Sequence, residues 1–161
     1  MHAVRAPYHI SFVCSGNICR SPMAALVFEE QVRRAGLAER IRVSSAGIGP
    51  WHAGEPADPR ARRVLAEHGY PTDHVAAQID NDHLSADLLL AMDDSHEKAL
   101  RKLVGDTDRV RMFRSFDPAA GDDLAVPDPY YGGPDGFTDL LAMIEAATPG
   151  LLAAVREHLP A

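Results

Sequence analysis

The residue types best suited to chemistry lie together near the N-terminus, in Cys14-Ser15-Gly16-Asn17-Ile18-Cys19-Arg20-Ser21-Pro22. Before them Tyr8 to Val13 is a short apolar, β-rich run, and after them Ser21-Pro22 opens an apolar segment of helical period, so the cluster occupies a strand-to-helix turn. Backbone N–H groups entering a helix lack partners and point outward beside the positive end of the helix dipole, which makes such a turn a site for an anion, above all phosphate. Gly16 and Asn17 can take the left-handed backbone angles that curl successive amides into a nest. The field that attracts phosphate also favours a cysteine as thiolate, the nucleophilic form, so Cys14 is expected to be ionised. Arg20, in a Cys-x5-Arg spacing, returns to the same mouth with a planar fork able to grip two phosphate oxygens. Ser21 or Ser15 could donate a hydrogen bond to the sulfur. The chemistry implied is attack of sulfur on a bound phosphoryl group.

Displacing an aryl oxide from phosphorus needs a proton for the departing oxygen, and a carboxylic acid near the mouth would supply it. Asp117, Asp122, Asp123 and Asp128 all lie in one Pro-, Gly- and Asp-rich stretch. Asp128 stands apart because Pro127 and Pro129 flank it and restrict the local backbone. Pro-Asp-Pro suits a plain turn equally well, so on residue types alone the four remain open. Tyr130 and Tyr131 read either as half-buried packing or, directly after an acid, as a wall for an aromatic ring, with Trp51 as the opposite wall. A deep slot of that kind selects phosphotyrosine, because phosphoserine is too short to bring its phosphorus to the sulfur.

The run Cys14-Ser-Gly-Asn-Ile-Cys-Arg-Ser-Pro-Met-Ala resembles the signature loop of the low-molecular-weight protein tyrosine phosphatases, and Asp128-Pro-Tyr-Tyr-Gly132 resembles that family's acid loop. Pro-Trp-His-Ala-Gly, His-Gly-Tyr-Pro-Thr-Asp-His and Arg-Ser-Phe-Asp-Pro look most like actinobacterial members. The resemblance implies double displacement through a phosphocysteine on Cys14, with Asp128 as acid and then base, Arg20 and the loop amides on the phosphoryl oxygens, and neither cofactor nor metal. It implies supporting roles for Asn17, Ser21, Ser45 and His74. It implies tyrosine-phosphorylated proteins or peptides as partners, phosphate or another oxyanion as product or inhibitor, and phosphorylation of Tyr130 or Tyr131 by a tyrosine kinase. Cys19 reads as a small buried hydrophobe or, by the resemblance, as a redox partner that traps oxidised Cys14 as a disulfide. Ser15 departs from the bulkier residue of some relatives, which bears on substrate preference.

The elements that must position these residues alternate. Ala24, Phe28, Val32 and Ala35 recur at helical spacing before Gly36, a left-handed C-cap. Ile41 to Ser45 reads as a second strand and Ala46 to Pro56 as a surface loop. Asp58-Pro59 caps a helix whose Ala61, Val64, Leu65 and His68 share a face before Gly69. Asp87 to Met92 is a third strand with a fully apolar centre, Asp94 to Val104 a helix closed by Gly105, and Arg109 to Phe113 a fourth strand. Arg114 to Pro134 is a long loop, and apolar residues from Phe137 to Leu159 mark a final helix bent or interrupted near Pro149. The expectation is an α/β fold: a four-stranded parallel sheet with helices on both faces, a flavodoxin-like three-layer α/β/α arrangement. In such sheets ligands bind beyond the strands' carboxyl ends where strand order reverses, which is where Cys14 falls.

At 161 residues the chain suits one domain, 1–161, and its net charge of -7 argues against a nucleic-acid partner. No secretion signal is evident and no apolar run reaches the length of a membrane span, so a cytoplasmic protein without membrane attachment is expected. Two cysteines, Cys14 and Cys19, are too few and too close for a structural disulfide framework or a four-ligand zinc site. Two rivals remain: an arsenate reductase-like oxidoreductase, which needs downstream cysteines that this chain lacks, and an inactive phosphotyrosine-binding module, which needs neither a nucleophile nor an acid.

Overall fold

A computed structural model describes residues 6–133 and 135–159 of the chain. Strand β1 (Tyr8–Cys14) pairs in parallel with β2 (Ile41–Gly47) on one side and β3 (Leu88–Ala91) on the other, and β4 (Val110–Met112) pairs with β3, giving the order β2-β1-β3-β4. Successive side chains of β1 point to opposite faces, and both faces are buried: Ile10, Phe12 and Cys14 join one apolar cluster, Val13 the other. Helices α1 (Arg20–Arg34), α2 (Pro59–Glu67) and α5 (Gly136–Arg156) cover the first face. There Phe12 meets Phe28 and Phe113 edge to face, at 5.9 and 5.4 Å between centroids. Helices α3 (Asn81–Leu84) and α4 (Asp94–Val104) cover the second. This is the flavodoxin-like three-layer α/β/α fold expected.

The chain leaves β1 for β2 on one side and later returns to β3 on the other, so strand order reverses at β1. Cys14 is its last residue. The crevice rule for open parallel sheets therefore points to that end.

Several boundaries differ from expectation for identifiable reasons. Strand β2 continues beyond Ser45 because Ala46 and Gly47 pair with Val13 and Cys14. The third and fourth strands are shorter than Asp87–Met92 and Arg109–Phe113, and Phe113 instead opens a 3-10 turn, Phe113–Phe116. Helix α3 is too short to leave a periodic signature, and its only sequence trace is the capping exchange between Asp80 and His83. His68 is exposed, its Nδ1 beside the Val64 carbonyl, and so does not share the buried face of α2. The expected loop begins only after Phe116, and Pro134, its expected end, lies outside the described residues.

Two corrections concern α5. It is not interrupted at Pro149 but runs through it to Arg156, and Leu159 lies beyond its end. The next residue is Gly150, where a Cβ would stand 2.2 Å from the Phe116 carbonyl oxygen; the pair Pro149-Gly150 thus lets the 3-10 turn press onto the helix. At 21 residues and a hydropathy of 1.4, α5 is also long and apolar enough to cross a membrane, against the expectation that no such run exists. Its length reflects a core helix: Phe137, Leu140, Leu141, Ile144, Leu151 and Val155 are all buried on the sheet side.

Candidate active site

The loop between β1 and α1 is held by its carbonyls. The oxygens of Cys14, Ser15 and Ile18 accept from the amides of Ile48, Gly49 and Asp58, at 2.9, 3.1 and 2.9 Å. The Asn17 oxygen accepts from His74 Nε2 at 2.7 Å. A trans peptide sets its N–H opposite its C=O, so these outward carbonyls turn the amides of the same units toward the cavity. Asn17 has φ of 60°, the left-handed conformation the curl requires. Gly16 does not share it. Glycine is suited there for another reason: a Cβ would meet the His52 ring at 2.8 Å.

Side chains brace the loop from beneath. Asn17 Oδ1 accepts from the Ala77 amide at 3.0 Å, while Nδ2 donates to Ser21 Oγ at 2.8 Å and Ser45 Oγ at 3.0 Å. Because Nδ2 can only donate, Ser21 accepts there and its own proton is directed at Cys14 Sγ, 2.9 Å away. Ser21, not Ser15, is therefore the hydroxyl partner of the sulfur. Burial pushes the His74 imidazole pKa down, against the hydrogen bond to Asn17, so a neutral ring carries its proton on the bonded nitrogen.

Arg20, the first residue of α1, is buried with its guanidinium at the same end. Nη1 donates to Asp93 Oδ2 at 2.9 Å and to the Val126 carbonyl at 3.0 Å. Asp93 caps α4. Burial alone would push its carboxyl up, but hydrogen bonds from Ser95, Arg20 and the His96 amide prevail and hold it at about 2. His96, 2% exposed, is lowered to about 4, chiefly by desolvation, so its ring is neutral. Its Nε2 and the Ser15 hydroxyl are hydrogen-bonded at 2.9 Å, and its backbone amide donates to Asp93 Oδ1 at 3.1 Å, while Nδ1, 3.2 Å from the same oxygen, has no hydrogen-bond partner among the described residues. Ser15 and Arg20 are thus tied through one Asp93–His96 pair.

The four loop aspartates differ in position. A cavity of about 250 Å³ opens over Cys14 and Arg20, and of the four loop aspartates only Asp128 lines it. Its Oδ2 stands 3.7 Å from Arg20 Nη2, and its Oδ1 accepts from the Tyr130 amide at 3.0 Å. Asp117 and Asp123 accept from local turn amides at Ala119 and Ala125. Trp51, His52, Tyr130 and Tyr131 form the rim. Tyr131 is 92% exposed and Trp51 69%, and Tyr130 packs edge to face on Tyr131 at 4.8 Å.

A family model described as low molecular weight phosphotyrosine protein phosphatase matches residues 9–161. The chain belongs to that family. It is 54% identical over 154 residues to low molecular weight protein-tyrosine phosphatase A of Mycobacterium tuberculosis, covering 95% of this chain and 94% of that one. It is 55% identical to the low molecular weight protein-tyrosine-phosphatase of Streptomyces coelicolor, covering 94% and 96%. Among solved structures, YfkJ from Bacillus subtilis superposes with a TM-score of 0.88 at 33% identity, covering 96% of this chain and 98% of that one. The likeness to actinobacterial members agrees with the two sequence relatives.

For this phosphatase, sequence reasoning gathered Cys14 to Ser21, Ser45, His74, Asp128 and the aromatic rim, and the fold brings all of these to one end of the sheet. It missed Asp93, His96 and His52. Asp93 was legible only as the acid before the helix starting at Asp94, a cap signal with nothing to tie it to Arg20 across 73 residues. His52, one residue after Trp51, lines the cavity with Nδ1 2.5 Å from Glu55 Oε2. Cys19 is 5% exposed, and both cysteines are free. Among the described residues no three His, Cys, Asp or Glu side chains gather as metal ligands would.

Proposed function

We propose that Cys14, Arg20 and Asp128 carry out the hydrolysis that family membership assigns to this chain, a protein-tyrosine-phosphatase acting on phosphotyrosine in proteins. The observation that carries the assignment of roles is the convergence of a sulfur, a guanidinium and one loop carboxylate on a single cavity. Cys14 attacks phosphorus in line with the phenolic oxygen, and Asp128 gives that oxygen its proton as the P–O bond breaks. Arg20 Nη1 is engaged by Asp93 and Val126, which leaves the Nε–Nη2 edge for two equatorial oxygens, and the loop amides take the remaining charge. Water then attacks the phosphocysteine, Asp128 accepts its proton, and the sulfur departs as a thiolate held by the Ser21 hydroxyl.

The rim supports an aromatic substrate: a phenyl ring entering between Trp51 and Tyr130–Tyr131 would reach the floor with its phosphate. We read the chain as one phosphatase domain, and its two free thiols suit a reducing, cytoplasmic setting. Tyr131 is open to a tyrosine kinase; phosphorylation there would set a dianion at the mouth and repel phosphorylated substrates.

The test is phosphate release from aryl phosphates and from phosphotyrosine, phosphoserine and phosphoarginine peptides. The parent turns over phosphotyrosine and aryl phosphates, Cys14→Ser and Arg20→Lys lose nearly all activity, and Asp128→Asn is weakest on poorly acidic phenols. Faster turnover of phosphoserine or phosphoarginine overturns the substrate, and an active Cys14→Ser overturns the nucleophile.

A further inference from the structure

We propose that Arg60 is a positioning residue for the proton-transfer step, tying the loop that carries Asp128 to the phosphate-binding loop. The inference rests on the reading of Asp128 as the acid. Asp128 has a side chain 48% exposed and sits on a segment with no regular structure, yet an acid must meet the leaving oxygen at hydrogen-bond distance. Something other than burial must fix it.

On its N-terminal side the fixture is visible within the site itself. The Val126 carbonyl accepts from Arg20, and the Val126 amide donates to the Met92 carbonyl at 2.6 Å. On its C-terminal side the contact comes from α2. Arg60 Nη1 donates to the Tyr130 carbonyl at 3.1 Å, while the Tyr130 amide donates to Asp128 Oδ1. Tyr130 is therefore held at both ends, one by the guanidinium and the other by the carboxylate to be positioned. The guanidinium carbon also lies 5.4 Å from the Tyr130 ring centre and 4.7 Å from that of Phe137, which is buried at the start of α5.

Arg60 is itself anchored to the opposite loop. Its Nε and Nη2 donate to Asp58 at 3.0 and 2.9 Å, and its amide donates to the same carboxylate at 2.8 Å. Asp58 is buried, and its backbone amide donates to the Ile18 carbonyl of the phosphate-binding loop. The path from floor to acid is then Ile18, Asp58, Arg60, Tyr130, Asp128. Capping α2 needs only Asp58 and the Arg60 amide. The contact with Tyr130, 70 residues away, serves the acid loop. Arg60 does not line the cavity, so it acts through Asp128 and not on substrate.

The experiment compares kcat/KM for the parent, Arg60→Ala, Arg60→Lys, Asp128→Asn and the double variant Arg60→Ala/Asp128→Asn. Aryl phosphates with strongly and weakly acidic phenols are used, with competitive inhibition by inorganic phosphate beside them. General acid catalysis is worth roughly 10²–10⁴-fold, so partial misplacement should cost Arg60→Ala about 10-fold on weakly acidic phenols and little on strongly acidic ones. Arg60→Lys restores only part, because one ammonium cannot fork between Asp58 and Tyr130 or lie flat on the two rings. Against Asp128→Asn, replacing Arg60 adds no further loss, and phosphate inhibition stays within about twofold throughout, since effects through one group are not additive. Equal loss on all phenols, an additive loss in the double variant, or weakened phosphate inhibition matching the loss would each overturn the proposal. If instead Asp128→Asn alone shows no dependence on the phenol, the acid assignment fails first; Arg60→Lys keeps the test readable should Arg60→Ala fold poorly.

Discussion

Cys19 shows how burial decides what a residue type can do. Its thiol is pushed up to about 12, mainly by desolvation and then by Asp58 and Asp128, so at neutral pH it packs as a small apolar group. A redox role requires its thiolate to attack the sulfenic acid of oxidised Cys14, forming the disulfide and expelling hydroxide. Well below its pKa the thiolate fraction rises about tenfold per pH unit, so trapping should be feeble at pH 7 and stronger at pH 9. After a fixed peroxide dose, thiol-recoverable activity in the parent should exceed that in Cys19→Ser by a margin that widens from pH 7 to pH 9. A margin that is absent at both values would leave Cys19 a packing residue alone. The sequence offered both readings of Cys19 because residue type carries no information on burial. Residue types set Asp128 apart from Asp117, Asp122 and Asp123 only by its flanking prolines, the resemblance pointed to it, and of the four it alone lines the cavity.

At the scale of elements, the end of β2 is the surface on which the phosphate-binding loop rests. A Cβ on Gly47 would stand 2.9 Å from the Ser15 carbonyl oxygen, 3.1 Å from Gly16 C and 3.2 Å from the Asn17 amide nitrogen. All three are backbone atoms, so the loop must move. Gly47→Ala is expected to cost about 1–3 kcal/mol of stability, as overpacking does, and to weaken phosphate inhibition several-fold. Gly36→Ala, strained at φ +74° but with no heavy atom near its Cβ, should lose stability without that weakening. Unchanged phosphate inhibition in Gly47→Ala would show that the loop does not depend on β2 for its shape. Much of this frame was legible: alternation, caps at Asp58-Pro59 and Gly105, and the strand-to-helix turn at Cys14 are local signals. What stayed hidden was non-local. The extension of β2 depends on pairing with β1, the passage of α5 through Pro149 coincides with its contact with Phe116, and the Asp93–His96 pair meets Arg20 and Ser15 only after folding.

Over the whole molecule, buried titratable groups set a pH window for stability. His96 falls from 6.5 to about 4, and His9 and His74 are also lowered, each chiefly by desolvation. As pH falls below 6.5 the unfolded chain takes up protons on these rings before the folded chain does, down to about 4 for His96, so stability falls as pH falls. For His96 alone the shift corresponds to roughly 3 kcal/mol. Asp93 extends the same trend: its contribution is whole above 3.8 and is lost as pH drops through about 2. Glu29, raised by burial, works in the opposite sense. On the alkaline side Cys19 and Tyr70, both raised to about 12, hold their protons in the fold while the unfolded chain releases them from about pH 9 to 10, and stability declines again. Thermal and urea unfolding from pH 4 to 10 should therefore give a plateau between about 6.5 and 9 with a fall on either side. The groups facing His96 are Asp93, Arg20 and Asp128, and a neutral replacement keeps them while removing the proton uptake. His96→Gln should flatten the acid limb, and Cys19→Ser should flatten the start of the alkaline one. An acid limb of unchanged slope in His96→Gln would mean that the folded ring takes up its proton as readily as the unfolded one, so that burial does not lower it.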